Sequence, residues 1–385
     1  MLKKATVIVL ALGCISLLTA ASTDEEGTQE FPVGSGGKLV LDLKAGGSVE
    51  ITGTGGSTVS VSYRMKCTPR CNIEFEESGD SLIVKTRFAK RLGNQTSEID
   101  LSIEVPSRFD VKLDSSGGGL SIDGVEGTFS GKTNGGKIVL HDVWGEAELT
   151  TMGGRISLTD SELDGFLKTM GGRVLFENVV GNVRGKSMGG SVRYKNVQRR
   201  DGDLGSPPRT GADLGESTSE TVQISTMGGP IDVDQALEGA DVHTMGGNIE
   251  IRDADRFVRA KTMGGDILID AVDGWVEAIT MGGDIDVTVT GSGGDVTLTS
   301  MSGDITLQVP SGFSMELDLE IAYTRNSQQD YEIDTPYNLQ HSVSDDWDRE
   351  EGTPRKYIRA KGSTGGANSV RIETVNGNIA VAEGG

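Results

Sequence analysis

Thr151-Met152-Gly153-Gly154, Thr169-Met170-Gly171-Gly172 and Ser187-Met188-Gly189-Gly190 begin 18 residues apart, and the same tetrapeptide resumes at Thr226, Thr244, Thr262 and Thr280, again 18 apart. Degenerate copies carry the beat outward, at Ser115-Ser116-Gly117-Gly118, Thr133-Asn134-Gly135-Gly136 and Ser300-Met301-Ser302-Gly303. A fixed short period is the signature of stacked repeats, each too small to bury an apolar face alone. Counting each Thr or Ser as position 1, position 6 runs Leu120, Ile138, Ile156, Val174, Val192, Ile231, Ile249, Ile267, Ile285, Ile305. Position 8 runs Ile122, Leu140, Leu158, Phe176, Tyr194, Val233, Ile251, Ile269, Val287, Leu307. Polar residues separate and flank them, the pattern of a strand with one buried face.

A second strand covers positions 14 to 18, with positions 15 and 17 inward. Pairs such as Phe129/Gly131, Gly165/Leu167 and Val183/Gly185 set a large residue against a small one, as close packing requires. The Gly-Gly pair reads as a turn that uses positive φ. The sequence therefore predicts an all-β, single-chain β-solenoid of 18-residue rungs, with a stack about 50 Å long. Signal peptide 1–21, N-terminal strand cap 22–114, solenoid 115–308 and C-terminal strands with a polar loop 309–385 are the expected divisions. Within the last, residues 326–362 read as the long loop, and the strands of 369–382 should return to the sheet. One rung breaks the beat: Ser187 to Thr226 is 39 residues, and the surplus, near 198–218, reads as a polar loop extruded from a corner.

Residues 1–21 hold Lys3-Lys4, an apolar run and small residues suited to cleavage, which predicts export. The run is too short to span a bilayer. Cys14, after Leu10-Ala11-Leu12-Gly13, resembles a lipobox, but Ile15-Ser16-Leu17-Leu18 continues apolar where a lipoprotein turns polar, so the lipid anchor is the lesser reading. Cys67 and Cys71 are expected to form a disulfide stapling a hairpin, as export favours. A metal site is the alternative, with no His nearby. The net charge of −21 becomes −23 without residues 1–21, which argues against nucleic acid or anionic lipid as partner. The charge is uneven: residues 125–200 carry +3 and residues 226–305 carry −11. Surface drift explains this blandly; head-to-tail contact or cation binding at the acidic end is the sharper alternative.

The chain resembles the bacterial "putative adhesin" family, long carried as a domain of unknown function. The resemblance runs from Leu39-Val40-Leu41-Asp42 and Gly47-Ser48-Val49-Glu50-Ile51, through Leu101-Ser102-Ile103-Glu104-Val105-Pro106 and Val111-Lys112-Leu113. It continues through the rungs at Gly265-Asp266-Ile267, Gly283-Asp284-Ile285 and Gly303-Asp304-Ile305 to Val370-Arg371-Ile372-Glu373-Thr374-Val375-Asn376-Gly377-Asn378-Ile379. It implies the solenoid fold and supplies no catalytic residues. The regular Met at position 2 and the Pro/Gly insertion depart from the family pattern.

Chemistry is sparse. A calcium roll needs Gly at position 6 and Asp at position 8, and both are apolar here. Asp266, Asp284 and Asp304 share position 5 and stack about 5 Å apart, so a bridging cation is conceivable, though solvated carboxylates are the plainer reading and no metal is expected. The three His (His141, His243, His341) are scattered, no phosphate-binding loop opens a helix, and no cofactor is implied. Trp144 and Trp275 fall at positions 12 and 14, so no Trp stack is expected. The Met column, Met152 to Met301, reads first as a corner of the core, because Met fills irregular gaps; strict alternation would instead turn it outward. The expected function is an exported, non-enzymatic surface or periplasmic binding or structural protein, with a cell-envelope component, glycan or protein surface as partner. A polysaccharide-active β-helix lyase or glycosidase is the alternative.

Overall fold

The computed structural model describes residues 23–68, 70–89, 96–198, 221–325, 327, 330–349 and 353–384. The segment 1–21, with Cys14, lies outside them, as does the insertion apart from Gln198. Among the described residues all regular structure is strand, joined in one hydrogen-bonded system.

The architecture is a β-solenoid, and its register is that of the repeat. Position 6 stacks in parallel ladders from Leu120 through Ile138, Ile156, Val174 and Val192 to Ile231, Ile249, Ile267, Ile285 and Ile305. Val192 pairs with Ile231 across the long rung, so the insertion leaves the ladder in step. Position 15 stacks likewise, from Phe129 to Val183 and again from Val222 to Val296. Every residue at positions 6 and 8 is buried, none more than 2% exposed. Position 5 is mostly exposed, whereas position 7 is mostly half-covered, because a parallel ladder flanks each side chain with its neighbours above and below.

Large and small residues compensate across the core. Phe176 and Tyr194 pack with ring centroids 4.8 Å apart, tilted by 36°. Gly185 faces them: a Cβ there would lie 2.8 Å from Val174 and 3.1 Å from Phe176. The buried Tyr194 hydroxyl accepts the Gly185 N–H at 2.6 Å, which satisfies that backbone donor inside the core.

Each end is closed by a rung inserted from far along the chain. Gly37–Leu43 lies between Ser81–Phe88 and Phe109–Ser115, and Ser48–Thr54 lies between Thr96–Pro106 and Leu120–Asp123. At the other end Asn368–Val375 lies between Val296–Ser300 and Met315–Thr324, and Ile379–Gly384 lies between Ile305–Pro310 and Ile333–Asp334. Beyond these rungs antiparallel strands cover the edges: Val59–Thr68 and Thr23–Phe31 at one end, Arg355–Ser363 and Gln340–Val343 at the other. The region 326–362 is thus not all loop, as its polarity suggested; an outer edge strand tolerates polar residues on both faces.

Cys67 and Cys71 are disulfide-bonded. They do not staple a hairpin. Val59–Thr68 pairs with Thr96–Pro106 and Cys71–Ser78 pairs with Ser81–Phe88, so the bond joins strands of the two opposite faces at the capped end.

Candidate functional site

Two corners connect the faces of each rung. At the first, position 1 is buried in every copy from Ser115 to Ser300. From Thr133 onward its hydroxyl donates to the position-4 carbonyl of the rung before, as Thr151 to Gly136 and Thr169 to Gly154, both 2.8 Å. The same oxygen accepts the position-4 N–H of its own rung, as from Gly154 at 3.2 Å. One hydroxyl thereby satisfies two backbone groups that the turn would leave without partners. From Gly135-Gly136 to Gly282-Gly283 the Gly-Gly pairs do not adopt positive φ, contrary to the turn expected of them. Position 4 needs glycine for closeness: from Gly136 to Gly303 a Cβ would lie 1.7–2.3 Å from the carbonyl oxygen one rung earlier.

The Met column faces solvent, not the core. Met152, Met170, Met227, Met245, Met263, Met281 and Met301 are 41–51% exposed, and Met188 is half-exposed. The inward place at this corner is already filled by the position-1 hydroxyl, and alternation turns the next side chain outward.

Asp266, Asp284 and Asp304 stack beside this corner, and their carboxylates serve the backbone. Asp266 accepts the Asp284 N–H at 3.0 Å, Asp284 accepts that of Asp304 at 2.8 Å, and Asp304 accepts that of Asn378 at 2.7 Å. Asn248 begins the ladder by accepting the Asp266 N–H at 3.1 Å. Among the described residues no group of three or more His, Cys, Asp or Glu is arranged to hold a metal.

The second corner differs between the halves. In the first half Asp142, Asp160, Asn178 and Asn196, all at position 10, take φ of 49–54°, the left-handed conformation that Asn and Asp tolerate. Asn178 and Asn196 each donate an amide to the side chain one rung below, at 2.9 Å. The 18-residue recurrence of Asp/Asn is the signal that reveals this column in sequence. In the second half Phe257 and Trp275 stack at 4.8 Å and 8°. Trp275 does stack, but on a phenylalanine, the position-14 residue one rung earlier. Gly239 and Gly294 bound the pair; a Cβ on Gly239 would meet the Phe257 ring at 2.4 Å, and one on Gly294 the Gly274 carbonyl at 2.3 Å. An open cleft of about 550 Å³ adjoins it, lined by Trp275, Val276, Glu277, Gly294, Asp295, Thr297 and Asn368. Arg259 sits over the Trp275 ring at 5.5 Å.

The carboxylates of this cleft are already engaged. Glu277 accepts from Lys261 at 2.7 Å and Arg259 at 2.8 Å, and the Lys261 bond leads in holding its carboxyl below the usual range. Asp295 accepts the Ser369 N–H at 2.8 Å. Glu277, held below the usual range, is not poised as a general acid, which needs a raised pKa. Elsewhere His141 meets Thr159 at 3.1 Å, Asp160 at 3.5 Å and Asp123 at 3.9 Å, on an open sheet face with side chains about half exposed. Repeat stacking alone brings the position-9 members together. His243 and His341 stand exposed and apart. No helix among the described residues is long and apolar enough to cross a membrane.

The family model described as Toastrack DUF4097 matches residues 37–382. No curated protein matches the chain. Three solved structures overlay on it loosely, each at 9% identity. A "putative cell adhesion protein" from Clostridium sporogenes covers 94% of this chain and 100% of its own, at a TM-score of 0.19. A "putative adhesin" from Bacteroides fragilis covers 93% and 97%, at 0.18. A "putative lipid binding protein" from Parabacteroides distasonis covers 92% and 96%, at 0.21. Overlays this loose fix neither a site nor a partner.

Proposed function

The chain belongs to the Toastrack DUF4097 family, and on that premise we propose that it is an exported, non-enzymatic β-solenoid of the periplasm or cell surface, holding a glycan of the envelope against its acidic half. The cleft beside Trp275 carries this reading. It offers an aromatic ring and a threonine hydroxyl, a mixed apolar and polar lining of the kind that binds sugar rings. Its carboxylates are committed to Arg259, Lys261 and the Ser369 amide, so the cleft is suited to hold a saccharide and not to cleave one. The position-15 ladder from Val222 to Val296 carries the cleft.

The test is a screen of the mature protein against envelope glycans, with Trp275→Leu beside wild type. Binding that weakens at least tenfold in Trp275→Leu, with an unchanged β circular-dichroism spectrum, is expected. Equal binding by both would remove the cleft from the reading. Release of reducing ends or unsaturated products from any polysaccharide would establish the lyase or glycosidase alternative.

A further inference from the structure

The Gly-Gly corner bears a column of exposed methionines, and beside it runs a position-5 column whose charge inverts along the stack. In rung order that column reads Lys137, Arg155, Arg173, Ser191, Pro230, Asn248, Asp266, Asp284, Asp304. The three cations, Pro230 and the three Asp are all exposed. Read from either end, the order is antisymmetric about Pro230, with three cations answering three anions. Among the described residues no ion pair engages Lys137, Arg155 or Arg173, so the three charges are available to a partner, as are Lys132, Lys168 and Lys186 on the other flank.

We propose that this corner is a homodimer interface, covered by a second copy of the chain lying antiparallel, with the two-fold axis passing the rung of Met227 and Pro230. A two-fold axis perpendicular to the stack and in the plane of contact returns each column to its own flank and reverses its direction. Met meets Met along the corner from Met152 to Met281, and Met301 meets the partner's Asn134 at either end. Lys137 faces the partner's Asp304, Arg155 its Asp284, and Arg173 its Asp266. Each bridge occurs twice, so six ion pairs run along one flank of the methionine strip. The Asp carboxylates keep their backbone bonds and still present charge outward.

The opposite flank tests the orientation. It carries Lys132, Thr150, Lys168, Lys186, Ser225, His243, Lys261, Ile279 and Thr299, and is basic or neutral throughout. In a parallel pair this flank would face the position-5 column, setting Lys132 and Lys168 against Lys137 and Arg173. In the antiparallel pair its only Lys–Lys opposition is Lys168 with Lys261, and Lys261 is bonded to Glu277 at 2.7 Å. Nine rungs at about 4.8 Å give a strip about 40 Å long, and a width of about 12 Å gives ~1,000 Å² over both copies, the lower bound for a specific interface. Charge complementarity at that size predicts a micromolar, salt-sensitive dimer. The inference goes beyond the glycan reading and does not rest on it; the Trp275 cleft lies at the opposite corner and stays open in both copies.

The experiment is sedimentation equilibrium of the mature protein at low and high salt, with single-cysteine cross-linking. Wild type should dimerise in 50 mM salt and dissociate at least tenfold more readily in 500 mM. Lys137→Glu/Arg155→Glu/Arg173→Glu should be monomeric with an unchanged β circular-dichroism spectrum, and Asp266→Asn/Asp284→Asn/Asp304→Asn, which retains the amide-accepting oxygen, should weaken the dimer. Pro230→Cys, beside the axis, should cross-link to itself, and Arg155→Cys should not. A wild-type monomer at 100 µM in 50 mM salt, an undiminished dimer in the triple Glu variant, or self-linking of Arg155→Cys would each overturn the proposal.

Discussion

At the residue scale, the two glycines of each corner are not equivalent. A Cβ on Gly154 would lie 1.9 Å from the Gly136 carbonyl, whereas one on Gly153 meets nothing closer than 3.7 Å. Gly154→Ala should therefore cost about 3 kcal/mol, the scale of an overpacked backbone, while Gly153→Ala should stay within about 0.5 kcal/mol, as for an unstrained surface change. Chemical denaturation of the pair decides it, and equal costs would refute the close-approach account. The neighbouring threonine makes a sharper test. Thr151→Val keeps the shape but strands the Gly136 carbonyl and the Gly154 N–H, an expected loss of about 2–4 kcal/mol. Thr151→Ser keeps the hydroxyl and should lose only about 1 kcal/mol for the methyl. The recurrence of Thr or Ser was plain in the sequence; its double hydrogen bond was not, because only the stacked rung supplies the second partner.

At the scale of the rung, two inward residues per strand carry the stack. Ile267, buried between Ile249 and Ile285, should not tolerate Asp; about 4 kcal/mol is expected for a charge buried without a partner. The Arg259–Glu277–Lys261 cluster gives a pH signature. Its bonds depress the folded pKa of Glu277, so their contribution is present above the unfolded carboxylate value and lost as pH falls through the folded one. Glu277→Gln should melt below wild type at pH 7, and the gap should close as pH drops below about 4. A gap unchanged at pH 3 would show that the cluster acts by packing and not by charge. Replacing the insertion near 198–218 with a short Gly/Asn turn should change stability by about 1 kcal/mol or less, because Val192–Gln198 and Val222–Ser225 stack in register with their neighbouring rungs. Unfolding of that variant would show that the segment packs as part of the coil.

At the scale of the molecule, both ends are sealed by rungs that the chain delivers out of order. Thr374 donates to Gly303 across 71 residues, and Gly377 approaches Gly303 as each position-4 glycine approaches its predecessor. The closing rung thus follows the repeat's own rules. Truncation after residue 367 should expose the ladders at Val296–Ser300 and Ile305–Pro310 and detach Met315–Thr324, and the product should aggregate as open strand edges do. A soluble, monomeric truncation with the native β spectrum would refute the sealing role.

The 18-residue period, the inward positions 6, 8, 15 and 17, and the extra length of one rung were all legible in the sequence, because one-dimensional recurrence maps directly onto a stack whose contacts are between neighbours. The direction of the Met column, the Phe257–Trp275 pair and the placement of the closing rungs were decided only in three dimensions. Each depends on which residue meets which across the core or across dozens of positions. Alternation within one rung leaves the corner's phase open until a buried threonine hydroxyl takes the inward place. The Asp ladder shows the same division: its spacing was evident from position 5, but its amide partners exist only once the rungs are stacked.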